Sequence, residues 1–175
     1  MRRPGLIRTG LRKSGLLLFI LLFTGYSHAA DNIYFGAGLG LNSLRGINFG
    51  DGIGFQAFGG YVLPTKVGKG TLAAEVGYMD TGDMDWGLFA ATPVRIKGLW
   101  VNGVVSLPLK NNLNFIGRAG LNFGDADNNV WILDDDGFMI GGGVGFKINN
   151  NSEIRAEYVI RPIVDSLQFN YVMRM

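Results

Sequence analysis

The chain contains no cysteine, and its one histidine is His28. Without thiols there is no disulfide, no thiolate nucleophile and no sulfur ligand for a metal. Beyond residue 29 there is no imidazole either, which excludes the histidine-activated serine on which many hydrolases rely. No apolar run reaches the ~20 residues that a membrane-crossing helix needs, since the longest, Gly15 to Phe23, stops well short. No capped segment of helical period follows it.

The N-terminus has a separate logic. Arg2, Arg3, Arg8, Arg12 and Lys13 form a basic stretch without an acid, the Gly15–Phe23 run follows, and Ser27-His28-Ala29 ends it in small residues. This pattern predicts a secretory signal peptide over 1–29, cut between Ala29 and Ala30, and one domain over 30–175. An uncleaved anchor helix is the alternative, and the short apolar run weighs against it. Removing the segment takes five of the 16 Lys+Arg, leaving 11 against 14 Asp+Glu, so the remaining chain carries −3 where the whole carries +2. No basic patch is left to suggest a nucleic-acid partner.

What the chain does have is alternation. In Glu153-Ile154-Arg155-Ala156-Glu157-Tyr158-Val159-Ile160-Arg161 the charges sit at odd positions, while Ile154, Ala156, Tyr158 and Ile160 fill the even ones. A period of two is an extended strand with one charged face and one apolar face. The same rule returns over 32–42, 53–63, 71–79, 97–107, 113–123, 138–148 and 167–175, with Trp100 breaking it on the polar face. These eight strands have about the length that a tilted bilayer-crossing strand requires. The connections 43–52, 80–92 and 124–136 are long, whereas 64–70, 108–112 and 149–151 are short. Long loops at one end and tight turns at the other predict an all-β fold, an eight-stranded antiparallel transmembrane β-barrel. Glycines crowd the polar face, as a lumen just wide enough for side chains would require. Outward aromatics gather near both strand ends: Phe35, Tyr61, Phe115 and Phe146 at the turns, Tyr78, Phe123 and Phe138 at the loops. The alternative is a secreted β-sandwich or lipocalin-like barrel with the apolar face turned inward.

Seven charged residues share the predicted lumen: Glu75, Arg118, Lys147, Glu153, Arg155, Glu157 and Arg161. Charges removed from water are stable when paired and further hydrogen-bonded, so the set reads first as a salt-bridge plug. A gate or narrow ion path is the second reading. Acid–base catalysis by the glutamates is the third, opposed by the cations among them, and Ser106 has no base beside it in sequence. No catalytic, cofactor or metal residue is therefore expected. Asp125, Asp127 and Asn129 open like a calcium loop, but Val130 stands where glycine is needed and Asp136 where glutamate is needed. The long loops also carry Trp86, Phe89, Trp131, Ile132 and Leu133, apolar side chains suited to an external ligand or to packing over the barrel mouth.

The first strand I-Y-F-G-A-G-L-G-L and A-E-V-G-Y-M-D-T-G-D at 74–83 resemble the OmpA/OmpX-type outer-membrane β-barrel superfamily, the small porin-like and opacity-type surface proteins. The resemblance implies export to the outer membrane of a Gram-negative bacterium, insertion by the outer-membrane assembly machinery, and a monomer amid lipid and lipopolysaccharide. Such barrels typically end in an aromatic residue that the machinery reads, and this chain ends Met173-Arg174-Met175. Enzymes with a similar barrel modify lipid A or cleave phospholipids. The function expected is non-enzymatic: an envelope-structural or adhesin-like protein, with a host or cell-surface ligand as the partner its long loops would meet. A narrow porin or gated channel is the alternative, and a histidine-free envelope enzyme the third class.

Overall fold

A computed structural model describes residues 32–45, 52–84, 93–127 and 135–175. Eight strands follow one another: β1 (Ile33–Leu44), β2 (Gly52–Val67), β3 (Gly70–Asp80), β4 (Ile96–Pro108), β5 (Leu113–Ala126), β6 (Gly137–Lys147), β7 (Ser152–Ile160) and β8 (Val164–Arg174). Each pairs antiparallel with its neighbour, and β8 returns to β1 in a ladder from Tyr34↔Arg174 to Leu44↔Val164. The closed barrel has no free edge, so every strand finds backbone partners within the wall.

Alternation decides which side faces where. Along β7 the odd residues Glu153, Arg155, Glu157 and Val159 are buried, while the even ones from Ile154 to Ile160 are not. Leu39 is 60% exposed and Phe138 63%, whereas Glu75 is 1% exposed. Apolar side chains lie outside and ions inside, which overturns the sandwich or lipocalin-like alternative. The outward aromatics Phe35, Phe115 and Phe146 lie toward the turn end, and Tyr78, Phe123 and Phe138 toward the opposite end, the mouth.

The short connections differ from the sequence reading at one place. Pro64 to Gly70 was expected as a single turn, yet β2 runs on to Val67 and only Gly68 and Lys69 turn the chain. A register shift between Val62 and Lys66 accommodates Pro64, which cannot donate to a ladder. In the β4–β5 turn, Asn111 and Asn112 both have positive φ, 58° and 62°. Two consecutive left-handed residues make a type I′ hairpin, and asparagine tolerates that conformation better than other non-glycine residues.

At the mouth the wall extends past the strands. Met84 and Val94 form an isolated antiparallel bridge, and the Ile96 N–H donates to the Thr81 hydroxyl at 2.9 Å. Trp86, Phe89, Trp131, Ile132 and Leu133 lie outside the described residues.

Candidate functional site

The lumen is the site, and the parity of the strands builds it. β3 contributes Glu75, β5 Arg118, and β7 Glu153, Arg155 and Glu157, all at most 4% exposed. Arg118 Nη2 lies 2.6 Å from Glu157 Oε2 and 3.3 Å from Glu75 Oε2. Arg155 donates from Nη1 to Glu75 Oε1 at 2.8 Å and from Nη2 to Glu153 Oε2 at 3.4 Å. Glu75 thus stands between two guanidinium groups, and each of those reaches a second carboxylate. Neutral donors complete the web. The Tyr34 hydroxyl donates to Glu75 at 2.7 Å, Asn114 Nδ2 to Glu153 at 3.0 Å, and Asn170 Nδ2 to Glu157 at 3.4 Å. Buried charge is tolerated where paired and further bonded, and three carboxylates here have both.

Aromatic rings wall the web on two sides. Arg118 stacks over Trp100 at 5.5 Å and Arg155 over Tyr34 at 5.3 Å, both within cation–π range. Phe58 packs against Trp100 with ring centroids 5.7 Å apart. Glycines make the room. A Cβ on Gly60 would stand 2.2 Å from the Tyr34 ring, and one on Gly77 would stand 2.5 Å from Trp100. The glycine-rich inner face is therefore the complement of three large rings.

The other side of the lumen holds amides. Gln56 donates from Nε2 to Gln168 Oε1 at 2.8 Å and Asn170 Oδ1 at 2.6 Å. Ser166 donates to Asn42 and accepts from Arg161 Nη1. Two small recesses, each about 10 Å³, lie at the ends of the barrel, one lined by Asn42, Gln56, Arg161 and Gln168, the other by Lys147, Glu153 and Arg174. Each has space for about one water.

Five of the seven charged residues singled out in the sequence come together, and two do not. Arg161 lies four residues beyond Glu157, about 13 Å along a strand, and bonds to Ser166 at the mouth instead of neutralising a glutamate. Lys147 is opposite Glu153 in register but stays half-exposed at the turn rim, where water solvates its ammonium group. Neither forms an ion pair among the described residues.

Sequence reasoning missed Tyr34 and Asn114 as partners of the web. The parity that put Tyr34 on the glycine face was the available signal. Asp135 falls in the long acidic connection 124–136 at the mouth, and no periodic signal there announces that it is buried. The Asp135 carboxylate accepts from the Ile163 N–H at 2.9 Å and from Asn122 Nδ2 at 2.8 Å, tying the approach to β6 to the β7–β8 connection. Burial pushes its pKa up to about 6, against the opposing pull of the Ile163 N–H and the Arg161 charge. Among the described residues no cluster of acidic side chains is arranged to hold a metal ion.

A family model described as the OmpA-like transmembrane domain matches residues 28–165. No curated protein matches the chain by sequence. Among solved structures, the N-terminal β-barrel domain of OprF from Pseudomonas aeruginosa is similar with a TM-score of 0.56 at 11% identity, covering 83% of this chain and 98% of that one. Ail, the attachment invasion locus protein of Yersinia pestis, crystallised with the heparin analogue sucrose octasulfate, gives 0.53 at 14%, covering 82% and 97%. The outer-membrane enzyme PagL gives 0.53 at 11%, covering 81% and 99%. At such identities the likeness is one of fold, and the fold hosts an enzyme as well as non-enzymes.

Proposed function

The chain belongs to the OmpA-like transmembrane domain family, and on that premise we propose that this outer-membrane barrel is non-enzymatic, with its lumen closed by the Glu75–Arg118–Arg155 web and its role in envelope structure and surface contact. The observation that carries the reading is the ion-paired interior itself. Each of the three glutamates is held in an ion pair with a guanidinium group, which ties the wall together and argues against a carboxylate poised for proton transfer. Ser166, the serine bonded within the lumen, accepts from Arg161 and donates to Asn42, and no base bonds to it among the described residues. Surface contact falls to the mouth-side loops with Trp86, Phe89, Trp131, Ile132 and Leu133. Their aspartates disfavour a polysulfated ligand of the kind bound to Ail and favour a cationic or apolar one.

Single-channel recording of the refolded barrel in a planar bilayer tests the closed lumen. A quiet membrane with folded barrel present is expected, and stable discrete steps would move the reading to a narrow porin.

One observation favours a gated channel as the second reading. No Arg118 nitrogen makes an aligned hydrogen bond among the described residues, despite the short charge contacts. A guanidinium held by charge alone has freedom to change partners. In that case Arg118→Ala opens measurable conductance, and an unchanged baseline in the variant sinks the gate.

A further inference from the structure

Charge in this barrel is sorted by height. The three glutamates beyond residue 31 are in the lumen, and ten aspartates, at 51, 80, 83, 85, 125, 127, 134, 135, 136 and 165, fall in or beside the mouth-side connections. The turn end carries Lys66, Lys69, Lys110, Lys147 and Arg174. Its only carboxylate side chain among the described residues is Glu153, which is buried and held by Arg155 and Asn114.

Pairing separates the two ends as sharply as sign does. The exposed mouth cations are matched, with Arg45 on Asp165, Arg95 on Asp80 and Lys97 on Asp127, while the buried Arg161 bonds to Ser166. None of the five turn-end cations has an ion pair among the described residues. Four of them also have exposed apolar neighbours in sequence: Val67 beside Lys66, Leu109 beside Lys110, Phe146 and Ile148 around Lys147, and Met173 and Met175 around Arg174. At the strand ends, beside the last side chains that face hydrocarbon, these cations stand near headgroup depth, and long stems let them reach outward over the rim.

From this arrangement we propose that the turn-end rim is a binding surface for anionic phospholipid headgroups of the leaflet it faces. Unpaired cations at headgroup level attract phosphate-bearing anionic lipid over a Debye length, and several together act as one polybasic patch. An acidic macromolecule would meet the same charges, but it would gain nothing from the apolar residues beside them, which a lipid covers. The inference uses the family's membrane setting and is independent of whether the lumen conducts.

The test is spin-label electron paramagnetic resonance on the folded full-length barrel in vesicles of phosphatidylethanolamine and phosphatidylglycerol. Labelled phosphatidylglycerol should be immobilised at the protein at least roughly threefold more than labelled phosphatidylethanolamine, and less so as salt rises. In the variant Lys66→Gln/Lys69→Gln/Lys110→Gln/Lys147→Gln, checked for folding by circular dichroism, the preference should fall toward parity. Equal immobilisation of both lipids by the unaltered barrel overturns the proposal, as does a preference that survives in the variant. If the lipids show no preference but polyglutamate binds the barrel in uncharged nanodiscs, the rim serves an acidic macromolecule and the lipid assignment is wrong.

Discussion

The lumen has two walls made on different principles. On β3, β5 and β7 the inward residues include the ions Glu75, Arg118, Glu153, Arg155 and Glu157, joined in one connected web. On β1, β2 and β8 the inward polar residues are Asn42, Gln56, Ser166, Gln168 and Asn170, neutral groups that donate and accept among themselves. Tyr34 and Asn170 join the two, each donating to a glutamate. The difference is one of consequence when a member is lost. A neutral amide deprived of its partner loses a hydrogen bond, whereas a buried carboxylate deprived of its cation keeps a full charge with nothing to balance it.

The largest effect should therefore come from the ion wall. Arg118→Ala leaves Glu157 with only Asn170 at 3.4 Å, while Glu75 keeps Arg155 and Tyr34. Removing one partner of a buried pair costs about 3–5 kcal/mol, to be read from urea unfolding of the barrel in vesicles. Adding Glu157→Gln to Arg118→Ala should recover much of that loss, because the stranded charge goes with it. A double variant as unstable as the single would mean that the cost lies in the packing of Arg118 on Trp100.

Next is the mouth, where Asp135 belongs to neither wall. Its folded pKa of about 6 lies above the unfolded carboxylate value of about 3.9. The folded state then binds the extra proton between those values, so the stability Asp135 contributes is largest below about pH 4. It falls as pH rises toward about 6 and is level above that, a total of about 2–3 kcal/mol at 1.36 kcal/mol per pH unit. Asp135→Asn keeps an acceptor for the Ile163 N–H and should flatten this part of the stability profile. An unchanged slope in that variant assigns the titration to another group.

Gly77→Ala tests the aromatic frame of the ion wall. The added Cβ would come within 2.5 Å of the Trp100 ring and 2.8 Å of the Phe58 Cβ, so the ring must shift to admit it. Overpacking of this kind costs about 1–3 kcal/mol. Trp100 fluorescence should report the displaced ring, and an unshifted spectrum with unchanged stability would show that the frame yields freely.

The barrel was legible in the sequence because membrane and lumen impose opposite solvents on alternate residues. β7 states that rule in nine residues, and β5 and β8 repeat it. The web was legible only as membership. Parity put Glu75, Arg118, Glu153, Arg155 and Glu157 on one face, but who meets whom depends on closure. The sequence separations of 41 from Tyr34 to Glu75 and 80 from Glu75 to Arg155 are bridged only once the wall is curved. Parity also overreached. It carried Lys147 and Arg161 into the web because alternation says which way a residue faces and nothing about its depth. The end of β2 failed for a different reason: Pro64 reads as a turn in isolation, and only the pairing with β3 shows the strand resuming after it.

Gln56→Leu measures the amide wall directly. Leucine approximates the volume but leaves Gln168 Oε1 and Asn170 Oδ1 without the donor they share. The cost should be about 1–3 kcal/mol, below that of Arg118→Ala. If the two variants prove equal, the contrast between the walls collapses and the lumen is one cooperative network.

The smallest effect should be that of Lys147→Ala, and it sharpens where the ion wall ends. Lys147 stands opposite Glu153, a register that on a buried rung would make a strong pair. Glu153 is already engaged by Arg155 and Asn114 within the lumen, and Lys147 is at the last rung beside the Asn149–Asn151 turn. A hydrated ammonium there gains little from a carboxylate it does not contact, so stability should change by less than about 0.5 kcal/mol. A loss near that of Arg118→Ala would place Lys147 inside the web, and the low-dielectric interior would then extend to the turn rim.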